Sequence, residues 1–303
     1  PFGITSAPEI LQRKMSDVLK NCDGCEVIMD DILIHGKDTA EHNRRLQAVL
    51  DAIKAAGITL NTSKSVLRES ELTFFGHLVG KDGIKAHPEK VQAIEGLPAP
   101  DNVSEVRTAL GMFNYLSRFV PHLSTVLKPI SDLMKSDVCW TWGPAQRQAF
   151  AEAKRLVSEA TTLTYFDTKK PTVVSADASS FGLGAVLLQA QEGGDLKPIA
   201  FASRTLTAAE QRYAQIEKEC LASVWACEKF AQYLTGLPSF KLLTDHKPLV
   251  PLMSTKTLDE VPIRCQRLLI RMMQFNAGVE HVPVKELVIA DALSRKLLSC
   301  NKE

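Results

Sequence analysis

Three apolar segments, TVVSAD, GLGAVLLQ and KPIAFAS, crowd into residues 172–203 and constrain this chain more than any other feature. Each is short and rich in branched or small apolar residues, the pattern of a strand, and the turn-forming string EGGD joins the last two. Neighbouring strands so joined pair antiparallel. Downstream, Thr207 and Glu210 form a capping box that opens a helix reaching about Tyr233. A strand FKLLTD, a helix holding Arg264 to Met273, a strand FNAGVEHV and a terminal helix ending ADALSR follow. This order describes a mixed α/β sheet unit.

The first half reads differently. EVIMDDILI holds two short branched runs separated by Asp30 and Asp31, a hairpin with both carboxylates at its tip. Leu46, Val49, Leu50, Ile53 and Ala56 recur at helical spacing before Gly57, predicting a helix over residues 41–56. LTFFGHLVGKDGI reads as a second hairpin turning at Lys81 to Gly83. Residues 87–135 are helical in pattern but broken by Pro98, Pro100, Pro121 and Pro129, which predicts short helices packed as a bundle. A further helix from about Pro144 leads into the Thr- and Lys-rich boundary TTLTYFDTKKP.

At 303 residues and 45% hydrophobic composition, the chain can bury a substantial core and its length suggests two domains. The net charge of +1 argues against a partner held by bulk electrostatics, so any nucleic-acid contact is local. Seven cysteines in no framework spacing predict reduced thiols and an intracellular setting. The CxxC of NCDGCEV, alone in the chain, reads as a turn without zinc. PFGITSAPEI lacks the features of a signal peptide, and no apolar run approaches the roughly 20 residues of a membrane span, so a membrane is not an expected partner. The absence of an initiator methionine suggests a fragment of a longer protein.

Asp177 closes one strand segment, Asp245 closes another, Glu219 lies in the capped helix and Asp291 in the last helix. Carboxylates gathered at one sheet edge raise one another's pKa and need cations, which points to Mg2+. Two ions there could activate a water and stabilise the leaving oxygen of a phosphodiester. Glu217 sits two positions from Glu219, and helical periodicity does not choose between them.

The strings VVSADASSFGLGAVLLQ, PIAFASRTLTAAEQRYAQIEKECLASVWA, LLTDHKPL and ADALSR resemble the ribonuclease H domain in Pol polyproteins of gypsy-type LTR retrotransposons. PFGITSAPEILQRKM, VIMDDILIHG, FFGHLVGKDGIKAHPEKV and LGMFNYLSRFVPHL resemble the reverse transcriptase palm and thumb of the same proteins. The resemblance implies an α+β palm remnant over 1–85, a helical thumb over 86–137, a connection over 138–170, a ribonuclease H-like mixed α/β domain over 171–297 and a tail over 298–303. It implies Asp177, Glu219, Asp245 and Asp291 as metal-binding carboxylates, favouring Glu219 because it immediately precedes CLASV. It assigns Asp30 and Asp31 to the polymerase metal site, although Ile28 stands where the family has tyrosine. Val284 and Leu287 likewise stand where the family commonly has glycine and asparagine. Implied partners are an RNA/DNA hybrid and the rest of the Pol polyprotein. The implied cofactor is Mg2+, with Mn2+ as an alternative, and the implied location is a cytoplasmic particle with access to the nucleus.

Arg264, Arg267 and Arg271 fall on one helical face, which fits phosphate binding and a solvated surface equally. Trp140 and Trp142 read as packing between thumb and connection, and His246, beside Asp245, as a capping or packing residue. The reading that follows is a ribonuclease H attached to part of an RNA-directed DNA polymerase. The alternative is a catalytically inactive relic that binds nucleic acid or protein.

Overall fold

The computed structural model describes residues 5–191 and 193–283. It divides into two compact units, Pro1–Lys81 and Asp82–Glu303. Among the described residues no helix is long and apolar enough to cross a membrane.

The first unit runs α1 (Ala7–Leu19), β1 (Cys25–Ile28), β2 (Asp31–Ile34), α2 (Thr39–Ala55), β3 (Glu71–Phe74) and β4 (His77–Gly80). β1 and β2 pair antiparallel as the sequence predicts, but with Ile28 opposite Asp31 the turn is Met29 and Asp30, one residue earlier than expected, and Asp31 opens β2. α2 starts from Asp38, whose carboxylate accepts the Glu41 N–H at 2.8 Å and so satisfies a donor that the first helical turn leaves unpaired. Gly57, at φ +68°, follows the end of the helix, in the left-handed backbone that favours glycine. Met15, Leu19, Val49 and Ile53 form a small core under the first hairpin. The second hairpin has a turn the sequence reading missed: β3 returns as β4 through Phe75 and Gly76, at φ 46° and 75°. Two positive φ values match a primed turn, and the aromatic at its first position hides it inside an apolar run.

The second unit begins with β5 (Gly83–Ala86), α3 (Pro88–Glu95), α4 (Val103–Leu116), α5 (Leu123–Val126), α6 (Lys128–Ser131) and α7 (Pro144–Ser158). These are the short, proline-bounded helices expected. Ile84 and Leu163 exchange backbone hydrogen bonds of 2.8 and 2.9 Å. Gly83 permits that approach, because a Cβ there would lie 2.1 Å from the Leu163 carbonyl oxygen. Phe113, Leu116, Phe119, Leu123 and Ile130 are fully buried at the centre of the helical layer, and Phe150 meets Phe113 edge-on at 5.9 Å. Trp142 packs edge-on against Phe150 at the edge of this core, the packing role read for it, whereas Trp140 stacks on Trp142 and is exposed.

The sheet is built from β6 (Thr172–Ala178), β7 (Gly182–Ala190) and β8 (Leu196–Thr205), then, after α8 (Ala208–Gln211), α9 (Gln215–Lys229) and α10 (Ala231–Leu234), from β9 (Phe240–Thr244). α11 (Leu249–Ser254) and α12 (Ile263–Met272) precede the last strand, β10 (Ala277–His281). The order is β10-β9-β6-β7-β8, with β6, β7 and β8 antiparallel and β9 parallel to both β6 and β10. Val174, Ala176, Leu183 and Leu187 face α9, where Cys220, Val224 and Cys227 are buried. Val173, Val186, Leu188 and Phe201 face the helical layer that precedes the sheet. Burial of both faces explains why the strand segments read as near-continuous apolar runs rather than alternating ones.

One helix was expected from Thr207 to about Tyr233, and the structure breaks it into three. The Thr207 and Glu210 box forms as read, but a second, one-sided cap starts α9, where the Glu217 carboxylate accepts the Ala214 N–H at 3.0 Å. The terminal helix carrying Asp291, together with Val284 and Leu287, lies outside the described residues.

Candidate metal centre

The parallel pairing of β6 with β9 sets up the site. Val173, Val174 and Ser175 oppose Lys241, Leu242 and Leu243, so the register continued two residues on brings Asp177 level with Asp245. Both then stand at the C-terminal ends of adjacent parallel strands, where sheets of this kind gather ligands. α9 packs across β6 and presents Glu219 from its second turn. One ligand oxygen from each of Asp177, Glu219 and Asp245 lies within 4.8 Å of the others. Among the described residues this is the only such group of three or more.

Glu219 is 4% exposed, and its carboxyl pKa is pushed up to about 8. Burial is the largest cause, followed by the neighbouring Asp177 and Asp245 carboxylates. Two donors oppose the shift: the Gln215 side-chain amide at 2.6 Å from Oε1 and the Ala178 N–H. Gln215 also donates to the Ala178 carbonyl at 3.2 Å, so it bridges the carboxylate to the end of β6. The sequence reading missed Gln215; its signal was the i, i+4 spacing that puts it on Glu219's helical face. Three carboxylates this close, one of them buried, form a donor set suited to a hard divalent cation.

The structure separates the two glutamates that periodicity left open. Glu217 turns away, accepting both the α9 cap hydrogen bond and Arg264 at 2.7 and 2.8 Å. Arg264 also lies 4.1 Å over the Tyr213 ring. Arg271 forms a two-pronged pair with Glu228, with Nε at 2.7 Å. The basic face read on α12 is therefore mostly spent on α9, and Arg267 is its exposed member without an ion pair among the described residues. The His246 backbone N–H donates to the Thr244 hydroxyl at 3.1 Å, a bond that does not involve the imidazole. Asp30 and Asp31 are exposed on the first hairpin, and no third ligand joins them among the described residues.

These parts define a class, a reverse transcriptase segment followed by a ribonuclease H-like domain. Residues 1–79 match the family of reverse transcriptases (RNA-dependent DNA polymerases), and residues 142–242 match the RNase H-like domain found in reverse transcriptases. The chain belongs to the retrovirus-related Pol polyproteins of gypsy-type LTR transposons. It is 35% identical over 97% of its length to the Pol polyprotein of transposon opus and 36% identical over 99% to that of transposon gypsy, both from Drosophila melanogaster. The Tf2-3 transposon polyprotein of Schizosaccharomyces pombe is 32% identical over 97% of the chain. The chain spans 30% of each Drosophila relative and 22% of the yeast one. Among solved structures, a foamy viral protease-reverse transcriptase in complex with an RNA/DNA hybrid aligns with a TM-score of 0.79 at 25% identity, covering 93% of this chain and 38% of that one. The same enzyme with double-stranded DNA aligns at 0.80 and 24% identity, over 93% and 59% of the two chains.

Proposed function

We propose that the second unit is a metal-dependent ribonuclease H that cleaves the RNA strand of an RNA/DNA hybrid, and that the chain works as part of a longer Pol polyprotein. The observation that carries this reading is the convergence of Asp177, Glu219 and Asp245, residues 68 positions apart at their extremes, into one carboxylate cluster. Asp291 is the fourth carboxylate of the assignment and lies outside the described residues. We take 171–297 as the nuclease domain, 138–170 as the connection, 86–137 as the thumb and 1–85 as the palm portion.

Asp177, Glu219 and Asp245 would hold Mg2+, or Mn2+ in its place, which would supply the positive charge to activate a water and steady the departing 3′-oxygen. The protein's part is to hold the carboxylates ready. Asp177 and Asp245, on rigid neighbouring strands, keep their spacing because the β6–β9 ladder fixes it. Glu219 is held by Gln215 and Ala178 so that its carboxyl already points at the pair. A hybrid differs from DNA duplex by the 2′-hydroxyls of its RNA strand and by its groove shape, which are what such a site has to read.

RNA-directed DNA polymerase activity is assigned to the parent polyprotein. In this chain Asp30 and Asp31 supply two carboxylates beside Ile28, where a tyrosine ring is absent. The test of the nuclease reading is direct: the chain incubated with an end-labelled hybrid and Mg2+ is expected to shorten the RNA strand, leaving single-stranded RNA and EDTA controls intact. Intact hybrid RNA after prolonged incubation with either Mg2+ or Mn2+ rejects the reading and leaves the inactive binding module.

Arg267 and Arg264 of α12 are expected to differ in hybrid binding. Arg267→Ala is expected to weaken hybrid binding a few-fold and reduce the salt slope by about one. Arg264→Ala is expected to leave that slope alone and lower stability by about 0.2–1 kcal/mol through loss of its exposed pair with Glu217. Binding measured across a salt series, beside thermal melts, separates them; equal salt slopes for both variants would contradict the division.

A further inference from the structure

Behind Asp177, on the sheet face away from α9, the segment before α5 closes over β6, β7 and β8. It leaves a cavity of about 10 Å³ lined by Pro121, His122, Ser175, Asp177, Gly184 and Phe201, among others. That volume is the room of one water molecule. Most of the lining is apolar, and its polar side chains are those of His122, Ser175 and Asp177. Ser175 is 2% exposed and its hydroxyl has no hydrogen-bond partner, while its place two residues before Asp177 puts both side chains on one face of β6. A buried hydroxyl left unpaired is destabilising, and a single water in this cavity would satisfy it.

His122 reaches this cavity by an unusual route. It holds a left-handed backbone at φ 48°, uncommon for a residue with a Cβ. Its ring lies directly over Gly184, where a Cβ would stand 2.4 Å from the ring's Cε1. Gly184 pairs with Asp177 across the β6–β7 ladder, so the imidazole sits over the strand position beside the carboxylate. A glycine inside a strand gives up side-chain packing, and its use here is to admit the ring. Burial holds the imidazole pKa below its usual value, so the ring is neutral at physiological pH and offers one N–H donor and one acceptor.

We propose that His122 is a positioning residue for the nuclease: with Ser175 it holds a buried water that hydrogen-bonds the Asp177 carboxylate and orients it toward Glu219 and Asp245. The inference rests on the nuclease reading for its purpose, and on the cavity alone for its geometry. Supports of this kind behind a metal-binding carboxylate change metal affinity by about 10–100-fold when removed.

Two measurements on the full chain test it. A high-resolution crystal structure of the metal-free protein is expected to show a water within hydrogen-bond distance of the Ser175 hydroxyl and the His122 ring; a dry cavity overturns the proposal whether or not the chain cleaves hybrid. Calorimetric titration with Mn2+ is expected to show binding about tenfold weaker in His122→Phe, which keeps a flat ring without nitrogens, and several-fold weaker in Ser175→Ala. His122→Asn, polar and tolerant of the left-handed backbone, is expected to recover most of the affinity. Should His122→Phe and Ser175→Ala both bind Mn2+ within twofold of the parent, His122 is a packing residue and the proposal falls. Failure of hybrid cleavage by the unaltered chain, with the water present, instead removes the nuclease reading.

Discussion

Asp177→Asn is expected to reduce cleavage of the RNA strand of a labelled hybrid by on the order of a thousandfold while leaving the chain folded. The substitution keeps the shape of the side chain and removes its charge from a cluster whose members lie within 4.8 Å of one another. Cation charge stabilisation in such sites is worth several kcal/mol, and each 1.36 kcal/mol is a factor of ten in rate. The same change has the opposite effect on the metal-free fold. Asp177 is the larger of the two charge contributions that raise Glu219's pKa, so removing it relieves a repulsion and is expected to raise the melting temperature in EDTA. Lower activity with equal or higher stability is the signature of a functional rather than a structural carboxylate. Equal cleavage rates for the two proteins would end the assignment of Asp177.

Glu219 is also expected to cost the metal-free chain stability progressively as pH rises from about 5 to 8. Glu219's carboxyl, with an ordinary value of 4.5, is pushed up to about 8 in the fold by burial and by Asp177 and Asp245. Between those values the folded chain keeps a proton that the unfolded chain has released, so unfolding is favoured progressively as pH climbs, at up to about 1.4 kcal/mol per pH unit. His122 and Glu210 are among the groups that act in the reverse sense as pH falls. His122 is held neutral by burial and costs stability as pH falls below its ordinary value of 6.5, and Glu210, lowered to about 2 by Arg204, does so below 4.5. The difference between the unaltered chain and Glu219→Gln therefore isolates the glutamate. That difference is expected to grow steadily from pH 5 to 8 in EDTA. Mg2+ favours the ionised carboxyl, so its stabilising effect should be larger at pH 8 than at pH 5.5. Parallel melting curves for the two proteins across this range would show that Glu219 carries no elevated pKa.

Much of the fold was readable one segment at a time. The β1–β2 hairpin, though not its turn to the residue, followed from two branched runs around a pair of aspartates, α2 from its apolar spacing and the glycine beyond it, and the cap of α8 from Thr207 and Glu210. Local rules suffice there because each involves neighbours in sequence. The Phe75–Gly76 turn and the break between α8 and α9 were missed for complementary reasons. An aromatic in a left-handed turn gives no composition signal, and the second cap involves Ala214, whose backbone N–H carries no signature in its side chain.

What the sequence determined by itself was the inventory: apolar strand segments, a proline-broken helical layer, the family, and the carboxylates able to hold cations. Tertiary structure decided which of them meet. Only the parallel β6–β9 ladder brings Asp177 and Asp245 level, and only the packing of α9 on β6 turns Glu219 inward while Arg264 draws Glu217 out. The same packing commits Arg264 and Arg271 to α9 and leaves Arg267 to solvent. Periodicity describes the faces of one element, whereas a metal site or an ion pair depends on the distance between two, and that distance is set by the sheet and the helix laid across it.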